Sequence, residues 1–102
     1  MPIHAMIDLE TLATDPHATI LTIGGVKFNP ETSEEPHSGF YFKLDVDEQS
    51  ALGRTQDPGT IDWWSKQDPR IMEEAFGEED RVGLKHFLSH MTKWMVGVDV
   101  LW

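Results

Sequence analysis

Between residues 3 and 46 the chain carries three strand-like stretches in succession, joined by connectors too short to hold a crossover helix. That order dictates an antiparallel meander before any helix forms. In the first stretch Ile3, Ala5, Ile7 and Leu9 alternate with His4, Met6, Asp8 and Glu10. The period of two marks a strand whose second face turns polar only at its carboxyl end. "DPHAT", with Pro16 as punctuation, interrupts the pattern. The second stretch, Thr19 to Phe28, is rich in β-branched residues, and its Gly24 and Gly25 predict a bulge or a close-packing point. "NPETSEEP" is turn chemistry from end to end. In the third stretch Phe40, Phe42, Leu44 and Val46 share one face, with Tyr41, Lys43 and Asp45 on the other.

The middle of the chain changes character. Asp57 followed by Pro58, and Asp68 followed by Pro69, are two helix starts of the same design, an N-cap carboxylate and a proline in the first turn. Gly77 is placed to stop the second of these helices. Leu84, Phe87, Leu88, Met91, Trp94 and Met95 hold helical spacing and predict a longer helix from about Asp80 to Val96, closed by Gly97. "VDVLW" then reads as a further strand, running parallel to an earlier one. The pattern is α/β: a three-stranded antiparallel meander, helices, and the start of a fourth, parallel strand, within a single domain of 102 residues.

Composition narrows the function. Eight basic against 18 acidic residues give a formal net charge of −10, so the bulk field repels nucleic acid. Any nucleic-acid function must run through metal ions or a local basic strip. The chain has no cysteine, which excludes disulfides and thiolate metal sites. No stretch approaches the roughly 20 apolar residues that span a bilayer, and "MPIHAMIDLE" lacks the pattern of a signal peptide, so a cytoplasmic chain without membrane contact is expected.

Asp8 and Glu10 are the candidate chemistry. Residues i and i+2 of a strand point to the same side, so the two carboxylates present together. Like charges so close repel unless one takes a proton or a cation sits between them. A hard divalent ion, Mg²⁺ or Mn²⁺, suits carboxylate oxygens completed by water and substrate oxygens.

"MIDLETL", then "TILTIGGVKFNPETSE", then "GRTQDPGTIDWWSKQ" together resemble the DEDD 3′–5′ exonucleases of RNase H-like fold, and within them the subgroup of the phage exonuclease A proteins and a mycobacterial 3′–5′ exoribonuclease. The resemblance covers nearly all of the chain. It implies two-metal hydrolysis of phosphodiester bonds at the 3′ end of single-stranded DNA or RNA, with Asp8 and Glu10 as the first two catalytic, metal-binding acids. Thr11 and Leu12 match the turn that meets the 3′-terminal nucleotide. In the family two further acids and a general base follow the fourth strand. Here that strand is "VDVLW", so the expectation is an amino-terminal portion of an exonuclease domain, weak or inactive alone. Asp99 lies within the strand, before the expected position of the next acid, and is not assigned to the site.

Other residues divide between packing and function. Trp63 and Trp64 are adjacent on a short helix and point about 100° apart, so one packs inside while the other is available to stack on a base. Arg54 is either a phosphate contact or a surface arginine. His86 and His90, four apart on the long helix, lack the glutamate of a zinc-protease motif and read as a solvated pair. "SEEP" and "GEEDR" read as solvating turns. A competing reading is a non-catalytic acidic module that imitates nucleic acid or binds a partner. It spreads its acids over a solvated face, whereas a nuclease buries two at a strand end. Sheet edge and apolar surface left bare by an unfinished fold also predict self-association or a complementing chain.

Overall fold

The computed structural model describes residues 2–32 and 35–102; Ser33 and Glu34, in the "SEEP" turn, lie outside the described residues. The expected meander forms from β1 (His4–Thr11), β2 (Ile20–Phe28) and β3 (His37–Leu44), each antiparallel to the next. A two-residue β5 (Val100–Leu101) runs parallel to β1, as the sequence pattern predicts. A second short strand, β4 (Arg81–Val82), was not foreseen; it pairs parallel with β3 and gives the order β4-β3-β2-β1-β5. The glycine pair of β2 proves to be both a bulge and a close approach. The β2–β3 register shifts between Gly25 and Lys27, and a Cβ on Gly25 would lie 2.5 Å from the Phe40 ring.

The first departure from the sequence pattern follows β3. Val46, expected to extend that strand, instead begins α1 (Val46–Ala51), because the Asp45 carboxylate accepts the Glu48 amide and caps a helix there. Gln49 of α1 is fully buried. Its Oε1 accepts from the Ile20 amide while its Nε2 donates to the Ile20 carbonyl, at 2.8 Å each. The side chain stands in for a strand neighbour at the start of β2.

Helices α2 (Pro58–Ser65) and α3 (Pro69–Phe76) begin as predicted, with Asp57 and Asp68 accepting first-turn amides. Gly77 ends α3 by close approach, since a Cβ there would lie 2.7 Å from the Glu73 carbonyl. The long helix is shorter than its periodicity suggests. Helix α4 spans Leu84–Trp94, because Arg81 and Val82 are held in β4 and Asp80 takes a positive φ of 62°. The Arg81 guanidinium explains the hold: it donates to the carbonyls of Leu21, Leu44, Ala75 and Gly77. Gly83 offers no side-chain cap to α4, and Glu48 of α1 supplies it by accepting the Leu84 amide at 2.6 Å.

Paired residues on neighbouring strands share a face, so the register fixes what each side of the sheet carries. One side presents Ile7, Ile23, Phe40 and Phe42 to α4, where they pack with Leu44, Phe87 and Met91. Leu88, expected in this core, is 57% exposed on the outer face of α4. Of the two histidines expected as a solvated pair, His86 is exposed, whereas His90 is half-buried. His90 lies edge-on to Phe42 at 4.9 Å with its Nε2 buried, and His86 is edge-on to the same ring at 6.0 Å. The other side presents Asp8, Thr22, Gly24 and Tyr41 toward α3. Leu12, Leu21, Trp64 and Ala75 form a second core at the end of this face.

Candidate active site

At the carboxyl end of β1 the register with β2 shifts: Glu10 pairs with Thr22, but Thr11 pairs with Ile20, leaving Leu21 between the pairs and fully buried. The break frees the strand end from the regular ladder, and other parts of the chain hold it. Trp64 Nε1 donates to the Thr11 carbonyl at 2.9 Å. The Leu12 amide donates to the Thr19 carbonyl and its own carbonyl accepts from the Asp57 amide. Leu12, expected against the terminal nucleotide, therefore has both backbone groups engaged and a side chain in the core at 3% exposure.

The loop beyond is clasped by the segment before α2. Thr55 donates its hydroxyl to the Asp15 carboxylate and its amide to the His17 carbonyl. The Thr55 hydroxyl, then the His17 amide, hold the Asp15 carboxyl below its ordinary range. Arg54 belongs to this clasp, donating to the Ala18 and Pro16 carbonyls. Arg54 is half-buried there and is not among the residues lining the cavity beside the carboxylates.

Asp8 and Glu10 do project to one side, into the mouth of a cavity of about 300 Å³. Burial first, and then the Asp8 charge, push the Glu10 carboxyl up from its usual value. Both residues are exposed rather than buried at the strand end, because α3 covers this face from the β2–β3 side and leaves β1 open. No third His, Cys, Asp or Glu joins them in a metal-holding group among the described residues. The donor set fits one hard cation through two carboxylates, with the remaining positions left to water or phosphate oxygens. Asp99, not assigned to the site from its place in the strand pattern, precedes β5 and accepts the Ile3 amide at 2.8 Å.

The two tryptophans divide as their spacing requires. Trp64 is 3% exposed in the core, and Trp63 is 54% exposed. Both line a second opening, of about 400 Å³, together with Glu10, Thr11 and Thr60. Trp64 borders both spaces, while Thr11 is half-buried with its hydroxyl donating to the Ala13 carbonyl.

Tyr41 and Glu74 are neighbours of the carboxylates that sequence reasoning missed. The Tyr41 hydroxyl donates to Glu74 Oε1 at 2.6 Å, tying β3 to α3 across the cavity. Its pKa is pushed up to about 12, by withdrawal from water and then by the Glu74 carboxylate. Alternation placed Tyr41 on the correct face, but nothing in the sequence signals its partner 33 residues on.

Comparison with solved structures gives a likeness to the crystal structure of cell-death related nuclease 4 (CRN-4), with a TM-score of 0.49 and 14% identity. The match covers 92% of this chain and 30% of that one, so the chain spans less than a third of the nuclease's length. No curated protein matches the sequence. The family model of the 3′–5′ exoribonuclease Rv2179c-like domain matches residues 3–101. The described residues form a mixed five-stranded sheet and four helices with paired carboxylates on β1, and the chain belongs to the 3′–5′ exoribonuclease Rv2179c-like domain family.

Proposed function

We propose that this chain carries the cation- and phosphate-binding half of a 3′–5′ exoribonuclease acting on the 3′ end of single-stranded RNA. Asp8 and Glu10 would hold Mg²⁺ or Mn²⁺ there. The observation that supports this reading best is the projection of Asp8 and Glu10 from one face of β1 into the mouth of an open cavity. Neighbouring anions in that position are relieved by a divalent cation.

Such a cation, when bound, supplies Lewis-acid stabilisation of phosphate oxygens; two ions do so in the complete two-metal arrangement. The chain's own residues do the positioning. Asp8 and Glu10 supply anionic oxygens, Trp64 fixes the strand end through the Thr11 carbonyl, and Trp63 offers an exposed ring for stacking. A second ion and a general base need further side chains beyond Asp8 and Glu10. The isolated chain is therefore expected to bind a cation and to degrade RNA weakly or not at all.

Titration of the ¹⁵N-labelled chain with Mn²⁺ tests the reading. Paramagnetic broadening should centre on residues 8–11 and disappear in Asp8→Asn. Broadening spread evenly over the acidic surface would favour the acidic interaction module and overturn the nuclease assignment. Robust hydrolysis of a labelled single-stranded RNA by the chain alone with Mg²⁺, abolished in Asp8→Ala, would overturn the half-site reading.

A further inference from the structure

We propose that the cavity beside Asp8 and Glu10 is a nucleobase pocket, and that its far edge, the Glu74 carboxylate held by Tyr41, selects guanine. The proposal deepens the reading of Asp8 and Glu10 as the cation and phosphate site, on which it rests, by naming the base that site accepts.

The space is real and unfilled. Gly24 forms its floor, and a Cβ there would come no nearer than 3.5 Å to the Phe40 carbonyl and 3.6 Å to the Tyr41 ring. The glycine is thus not demanded by crowding or by a positive φ; its effect is to keep the sheet bare at this point. Tyr41, Trp64 and Ile71 supply apolar sides, and the volume of about 300 Å³ lies at the lower end of the range for small-ligand sites.

The charges decide which part of a nucleotide enters. Asp8, Glu10 and Glu74 line the cavity, with no lysine, arginine or histidine among the lining residues. A phosphate can approach only with a cation at Asp8 and Glu10, so the uncharged base is the part that fits inside. Glu74 then sets the edge chemistry. Tyr41 spends its one hydroxyl proton on Oε1, which orients the carboxylate and leaves Oε2 and the second lone pair of Oε1 to accept. An ionised carboxylate accepts only. Guanine offers it two adjacent donors, N1–H and the N2 amino group, in the parallel geometry a carboxylate takes best. Adenine and cytosine place an acceptor nitrogen beside their single amino donor, and uracil flanks its N–H with two carbonyls. Each of those leaves a repulsive contact at the carboxylate.

The test follows amide shifts of the labelled full chain with GMP, AMP, CMP and UMP, each with Mg²⁺, and with guanosine in the absence of metal. GMP should shift Gly24, Tyr41, Ile71 and Glu74 and bind about tenfold more tightly than UMP. Guanosine should shift the same residues more weakly. Glu74→Ala should level the four nucleotides, and Tyr41→Phe should lessen the preference while keeping the ring. Gly24→Val, filling the floor, should abolish the nucleotide shifts at Tyr41 and Ile71 and leave the Mg²⁺ shifts at Asp8 and Glu10. Equal affinity for all four nucleotides, or GMP shifts confined to Thr60 and Trp63, would overturn the proposal. Metal binding without any guanosine response would sink the base pocket alone. Guanosine binding without metal binding would sink the cation reading alone.

Discussion

On the α4 side of the sheet, aromatic rings interlock: Phe40 meets Trp94 edge-on at 4.8 Å, Phe42 meets Phe87 at 5.7 Å, and Lys27 sits 5.0 Å over the Trp94 ring. On the α3 side, the same strands present Asp8, Gly24 and Tyr41 to a cavity. One face is closed by apolar contact and the other held open by a missing side chain and two like charges. The contrast separates where the molecule gains stability from where it gives some up, and residues of one face should fail differently from residues of the other.

The largest effect belongs to the closed face. Phe87, 6% exposed in the α4 core, should cost about 3–5 kcal/mol when cut to alanine, a large part of the total for a domain this small. Urea unfolding followed by circular dichroism reads the loss directly. Asp8→Asn, on the open face, should unfold at the same or slightly higher urea concentration, because it removes one of two like charges. Equal destabilisation by both substitutions would end the division between the faces.

An intermediate effect distinguishes the adjacent tryptophans. Trp64→Phe keeps a ring in the core but leaves the Thr11 carbonyl without its donor, a loss of about 1–3 kcal/mol. Trp63→Phe, on an exposed side chain, should stay within about 0.5 kcal/mol. Chemical denaturation of the pair compares them, and similar losses would show that the Thr11 bond contributes nothing.

The smallest effect is one of pH. Glu10 has a raised pKa in the folded chain, against a usual value of 4.5, so the folded state keeps this proton where the unfolded chain has released it. Its contribution favours folding most below the unfolded value. That contribution is lost as pH rises through the folded value. Melting temperatures across this acidic range should fall less with rising pH in Glu10→Gln than in the parent chain. Parallel curves would remove the burial of Glu10, and its repulsion by Asp8, from the account.

The strands, the two Asp-Pro helix starts and the paired acids were legible because each depends on a local rule: period two, a capping carboxylate before proline, and same-face projection at i and i+2. The failures share a cause. Helix α1 is six residues long, too short to show a period, although Asp45 and Glu48 have the spacing of a capping box. The start of α4 was misplaced because Arg81 is bound by carbonyls from β2, β3 and α3, contacts that sequence does not display. His90 looked solvated because its position on the helix says nothing of the Phe40 and Phe42 rings that meet it. Arg54, read as a phosphate contact or a surface arginine, and Leu12, matched to the nucleotide-facing turn, also hold the loop that follows the acids, through bonds that sequence does not display. Glu74 reached the site only through the fold.

Gln49 has a last consequence for how freely this architecture can vary. At one end of one fully buried side chain it must both give and take a hydrogen, meeting the Ile20 amide and carbonyl. Glutamate in its place would turn a second acceptor toward that carbonyl, and leucine would strand both backbone groups. Where β3 gives way to α1 after Leu44, the start of β2 is completed by a graft from that helix. That single amide is what lets the sheet lose a rung without unravelling.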